Sequence, residues 1–322
     1  MRRLAVTCGC LLLALIGACG DRPPTMTFAT GNPSGIFYPY GGALAAIWSR
    51  ELPEVNMKAE VTGASLINVI QVARGESEVG IAMGDVVASA VRGSGRFPEP
   101  MPVRTLFAAY PNLIHVVARA DAGIRRMSDL RGKRVSMGAP GSGTAIAAEN
   151  VLHGLGISED DLTAYYLNFS GTGDGLKDGV LDAGFVVGGL GIGIVKELAL
   201  TRDVVLVPIS AAEAASLGAG FEAYAPEVIP PGTYRGVDEP VPTLGTWNLV
   251  VVNQSMPEQT AYDLLCVLYR EREALERVVA VASFSIPANG DRIESVPMHP
   301  GAQRLLNDAR ERGLEQLECG AP

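Results

Sequence analysis

From residue 26 onward, short apolar runs alternate with longer stretches whose apolar positions recur at helical spacing. The runs at 26–30, 57–61 and 79–82 predict strands, and the stretches at 40–51, 65–74 and 85–91 predict helices. After a loop at 93–102, two further strands are expected at 104–109 and 114–119. The alternation then resumes, with strands at 134–137, 163–167, 183–187 and 204–208 and helices at 144–155, 175–180 and 192–200. Residues 226–242 are rich in Pro and Gly and read as irregular, ending in a strand at 244–253. An amphipathic segment at 257–281 sets charges on one face against Leu264, Leu265, Val267, Leu268 and Leu275 on the other, and Pro257 suits its first turn. Alternation at this spacing predicts an α/β fold with a mostly parallel sheet and crossover helices. The plainest division puts lobe I at 26–113 and 245–322 and lobe II at 114–244. The strands near Ile114 and Leu244 would then cross between the lobes as a two-strand hinge with a ligand cleft between them.

Two segments roughly a hundred residues apart repeat one device: TFATGNPSGIFYP at 27–39 and RVSMGAPGSGTA at 134–145. Each is a short strand, a Gly/Ser/Pro loop and the start of a small-residue helix. The first N–H groups of a helix have no partner within it, and the macrodipole is positive there, so each loop is a ready anion site. Ser142 and Thr144 stand where hydroxyls and backbone N–H groups can take up a carboxylate, although plain capping would place them the same way. Ser34–Tyr38 follow the first strand likewise, with Tyr38 placed to close over a ligand. A third strand-to-helix turn, Thr62-Gly63-Ala64-Ser65, puts Asn68 one turn on from Ser65 and on its face. In open α/β sheets ligands collect at the carboxyl ends of strands, where all three loops lie.

The N-terminus changes the setting. Arg2 and Arg3 precede an apolar stretch at 4–18 that is too short to span a bilayer, and Ile16-Gly17-Ala18-Cys19 resembles a bacterial lipoprotein cleavage box. Residues 1–18 then read as a signal peptide, Cys19 as the lipid-carrying first residue and 19–25 as a tether. The alternative is an ordinary secretory signal in which Cys19 merely lies. The expected location is extracytoplasmic or periplasmic, anchored to the membrane through Cys19. Of the 26 basic residues, losing Arg2 and Arg3 leaves 24 against 35 acidic ones, a net charge of −11, which excludes a nucleic-acid binder. Cys266 and Cys319 remain in the mature chain; an oxidising compartment permits a bridge, and the alternative is a buried Cys266 with Cys319 in the tail.

The sequence offers little for catalysis. His115, His153 and His299 have no Cys or carboxylate at metal-ligand spacing, so no metal centre is expected. GAPGSGT lacks the Lys of a phosphate-binding P-loop, no G-x-S-x-G elbow occurs, and no cofactor is called for. Asp85, at a helix start behind a buried strand, is either a base or an N-cap.

The chain also resembles the solute-binding proteins of tripartite ATP-independent periplasmic (TRAP) transporters, in particular their TAXI subfamily. The segments SGIFYPYGGALA, TGASLINV, GESEVGIAMGDV, DLRGKRVSMGAPGSGT, LKDGVLDAGFVVGG, IPPGTY and MHPGA carry the likeness in family order. The resemblance implies a type II periplasmic-binding-protein fold that closes on a small organic anion, glutamate or a C4–C5 dicarboxylate, and delivers it to the TRAP integral membrane subunits. It implies a binding protein rather than an enzyme, acting as a monomer; presentation to a sensor kinase, or a periplasmic enzyme on the same scaffold, are the competing readings. The family's ligand loops fall on Ser34, Gly35, Phe37 and Tyr38; on Gly63, Ala64, Ser65 and Asn68; and on Gly141, Ser142, Gly143 and Thr144. Met83, Asp85, Phe185 and Gly188 complete the set. Where members commonly carry two consecutive Tyr this chain has Phe37-Tyr38, where Gln often precedes the Asp it has Met83-Gly84-Asp85, and where Pro often follows the lobe II loop it has Leu190. The first two departures reduce hydrogen-bonding capacity, so a less polar ligand is expected.

Overall fold

The computed structural model describes residues 23–217, 222–290, 292 and 295–320; the signal segment and Cys19 lie outside them. The first lobe begins β1 (Thr25–Ala29), α1 (Phe37–Glu51), β2 (Asn56–Glu60), α2 (Ser65–Arg74), β3 (Val79–Met83) and α3 (Gly84–Arg92). A long strand, β4 (Val103–Arg119), leads to β5 (Arg134–Ser136), α4 (Gly143–Gly154), β6 (Thr163–Tyr165), α5 (Phe169–Lys177), β7 (Ala183–Gly188) and α6 (Gly193–Thr201). Then come β8 (Val204–Val207), α7 (Ala211–Ser216), β9 (Ala225–Ile229) and a second long strand, β10 (Val241–Asn253), with α8 (Glu258–Arg270), α9 (Arg272–Val278) and α10 (Pro300–Arg312) closing the chain.

Strand order is β2-β1-β3-β10-β4-β7-β5-β6, with β8 against β4 and β9 against β10. The parallel trios β2-β1-β3 and β6-β5-β7 are the centres of two lobes, and the antiparallel pair β4–β10 runs through both. This is the two-lobed, type II periplasmic-binding-protein arrangement. The two strands expected at 104–109 and 114–119 are one strand. Pro111 is carried beside a bulge, where the register shifts between Asn248 and Leu249, and a missing N–H is tolerated at such irregularities. The stretch at 226–242, read as irregular, contains β9, which pairs Ala225–Ile229 with the start of β10. The segment at 257–281 breaks at Glu271 into two helices and a 3-10 turn.

Lobe I is filled by α1, α8 and α10 packed on its sheet. Phe28 stacks on Trp48 with ring centroids 5.6 Å apart, and the Trp48 indole N–H donates to the Leu264 carbonyl at 2.7 Å. Cys266 of α8 is bridged to Cys319 across 53 residues, a closure that restricts the unfolded chain by about 4 kcal/mol on loop entropy. A second core runs through both lobes, joining Val86 and Val87 of α3 to Ala147 and Val151 of α4. The lobes also touch through Arg96–Glu149 at 2.6 Å and through Leu66 N donating to Gly141 O at 3.2 Å.

Candidate functional site

Parallel strands in one lobe present their carboxyl ends on one side, and here each is followed by a helix. The two lobes turn those ends toward a shared cavity of about 210 Å3. The residue preceding each of the helices α1 to α6 lines it: Ile36, Ala64, Met83, Ser142, Asn168 and Ile192. Six partial positive charges therefore converge on one small volume. Among the described residues no Asp, Glu, Lys, Arg or His lines it, so negative charge brought there meets amides and hydroxyls.

Ser34, Gly35 and Phe37 line the cavity from the first loop, and Gly63, Ala64, Ser65 and Met83 from the next two. Ser142, Gly143, Thr144 and Gly188 face them from lobe II. Ser65 Oγ accepts from Met83 N at 3.1 Å, and Ser142 Oγ caps α4 by accepting from Ala145 N at 3.1 Å. Each hydroxyl takes a backbone proton and so keeps its own O–H as a donor. The two loops are in close contact: a Cβ added to Gly143 would lie 2.7 Å from Ser65 Oγ and run into Met83 Sδ.

Five expected residues stand elsewhere. Asn68 is fully buried, with Nδ2 donating to Thr30 O at 2.6 Å and Ile81 O at 2.7 Å, while Thr62 Oγ1 donates to its Oδ1 at 2.5 Å. It ties three strand ends together behind the wall. Asp85 stands off the cavity lining: Met83 holds the N-cap position of α3, and the Asp85 carboxylate takes the Tyr224 hydroxyl of lobe II at 2.6 Å. Burial pushes Asp85 up to about 6, opposed by the Tyr224 hydrogen bond and by the backbone amides of Val86 and Asp85. Phe185 belongs to the core, Gly141 gives its carbonyl to Leu66 N, and Tyr38 lies one residue inside α1, off the lining.

Sequence reasoning missed Tyr110 and Asn112, which line the cavity from the middle of β4, because that stretch read as a gap between strands. It also missed Asn168 and Phe169. The signal was present: Asn168 caps α5 by accepting from Gly171 N at 2.9 Å, the same strand–loop–helix device for the second time in lobe II. Behind the loop after β7, Gly191 N donates to Tyr234 Oη at 3.0 Å, and the Tyr234 hydroxyl donates to His115 Nε2 at 2.8 Å. The acceptors beside His115 Nδ1 are the carbonyls of Leu113 and Val186, so Nδ1 carries the proton, and burial lowers the imidazole pKa to about 4. Tyr234, the last residue of IPPGTY, is thereby a support for the wall at Gly188 and Ile192.

A two-lobed binding-protein fold with six helix starts around one cavity between the lobes defines the class. The profile described as NMT1-like family matches residues 28–309, and the chain belongs to that family. Among solved structures it is similar to MatC from Rhodopseudomonas palustris with bound malate, at 12% identity over 90% of this chain and 98% of that one, TM-score 0.55. A protein from Bordetella bronchiseptica RB50 is similar at 16% identity, covering 92% of this chain and 84% of that one, TM-score 0.53. At such identities the likeness is one of fold.

Proposed function

We propose that this chain is an extracytoplasmic receptor that encloses a small organic anion between its lobes and hands it to the membrane subunits of a transporter of the TRAP type, as a TAXI-like member of its family. The convergence of six helix starts on a cavity without charged side chains carries this reading. A volume of about 210 Å3 equals roughly seven waters and is smaller than drug-sized pockets, so the occupant is compact. Micromolar capture needs about −8 kcal/mol. Several helix starts at up to ~2 kcal/mol each and charge-assisted hydrogen bonds at about 1.5–3 each reach that without an Arg clamp. Glutamate or a C4–C5 dicarboxylate fits the size, and the malate held by MatC supports a carboxylate. The lobes divide at 26–113 with 245–322 and at 114–244, the mature chain acts as a monomer, and Cys19 carries the lipid that holds it at the membrane.

Thermal melts of the purified protein against a broad carboxylate panel test the reading. A true ligand at a hundred times its Kd adds about 2.7 kcal/mol of stability. A flat response across the panel, together with no small molecule in native mass spectra, overturns it.

A further inference from the structure

Among the described residues that line the cavity, Asn112 alone carries a buried side-chain polar atom without a hydrogen-bond partner, its Oδ1. The residue is 3% exposed. Its orientation is fixed by a chain of side chains at the crossing of β4 and β10. Tyr110 O can only accept, and it takes Asn248 Nδ2 at 3.1 Å; Asn248 Oδ1 therefore faces Asn112 and takes its Nδ2 at 2.9 Å. Both amide groups of Asn248 and the donor end of Asn112 are committed, which leaves Asn112 Oδ1 as the free end of the chain. Directly opposite in register is Thr246, on the same face of the sheet, and its hydroxyl is buried and unpartnered too. Native structures rarely leave two such atoms side by side without a group to meet them.

The helix starts favour negative charge, whereas a carboxamide oxygen favours a proton donor. We infer that Asn112 selects, among compact carboxylates, those bearing a hydrogen-bond donor on the carbon chain, an ammonium or a hydroxyl, which Asn112 Oδ1 accepts. This deepens the receptor reading and rests on it. An unsubstituted dicarboxylate of the same length fills the cavity but leaves Asn112 Oδ1 orphaned, and a site built to pair with a donor rejects the analogue lacking it.

The test is calorimetric titration of the intact mature protein with matched pairs: glutamate and 2-hydroxyglutarate against glutarate, malate and aspartate against succinate. The donor-bearing member of at least one pair is expected to bind about tenfold or more tighter. Asn112→Leu should abolish that preference, bringing the affinities of the two members of each pair together. Should that variant not fold, the wild-type ratios decide, with a crystal structure of the complex expected to place the donor within hydrogen-bond distance of Asn112 Oδ1. Equal affinities within every pair, or a complex in which a water keeps Asn112 Oδ1, overturn this inference and leave the receptor reading standing. No binding by any member overturns this inference, and the receptor reading falls with it when the broad carboxylate panel and the native mass spectra are blank as well.

Discussion

The two walls of the cavity are held by different means. In lobe I the loops after β1, β2 and β3 are tied to one another: Asn68 reaches the carbonyls of Thr30 and Ile81, Thr62 braces Asn68 and accepts from Ala64 N, and Ser65 holds Met83 N. That wall also holds, among the described residues, the one non-glycine residue with positive φ, Ala64 at 70°. In lobe II two of the three loops close on themselves, Ser142 on Ala145 N and Asn168 on Gly171 N, with Gly138 and Gly141 supplying the left-handed turns, while the loop after β7 is braced at Gly191 N by Tyr234. Lobe I is therefore a cross-linked platform, and lobe II presents independent fingers. A cross-linked network fails as a unit, whereas a cap fails alone.

Asn68→Leu breaks the comparison most directly. It takes one donor from each of the Thr30 and Ile81 carbonyls and leaves the Thr62 hydroxyl only Thr30 O, at 3.0 Å, to donate to; the expected loss is about 3 kcal/mol of unfolding free energy, read by denaturant melts. A loss below 1 kcal/mol would show that the three strand ends hold their positions without it.

Asp85 probes the seam between the lobes. Its pKa is raised in the folded protein, so its contribution to stability is complete below the unfolded value near 4 and is lost as pH rises to about 6. Melts between pH 4 and 6 should lose on the order of 2–3 kcal/mol from this group and stay level above. Asp85→Asn should flatten that slope and raise the melting temperature at pH 7.5. A variant with an unchanged pH slope would place the titration elsewhere.

Gly143→Ala sharpens the comparison at the point of contact. Its backbone is ordinary helix and tolerates Ala, but the new methyl meets Ser65 and Met83 across the cleft. Overpacking of this kind costs about 1–3 kcal/mol, so the melting temperature should fall, and ligand affinity, which needs both loops in place, should fall roughly 10-fold or more. Undiminished affinity would mean that ligand is bound with the lobes farther apart. Ser142→Ala gives the smallest effect, about 1 kcal/mol from one lost cap, with a weaker affinity for anions because an O–H donor goes with it. A stability loss matching that of Asn68→Leu would erase the distinction between platform and finger.

Most of the fold was legible because strands and helices carry their periods locally. The helix α2 at Ser65–Arg74 falls where the pattern puts it, and the loops at 31–37, 62–65 and 139–144 reach one cavity as the repeated device suggested. Roles within the loops were less legible. Asn68 and Asp85 share composition and spacing with ligand residues, yet one braces the wall from behind and the other meets Tyr224, a residue far away in sequence. Asn112 gave no local signal, since its meaning comes from Asn248 on a strand that pairs with it from the far side of lobe II.

The order of residues by itself determined the alternating elements and the Gly- and Ser-rich helix starts, because backbone propensity, capping and hydrophobic period act within a few residues. Only the tertiary structure decided which polar groups are already satisfied and which are left without a partner. Hydrogen-bond partners are chosen by spatial proximity once β4 and β10 cross, and distance along the chain does not encode that choice.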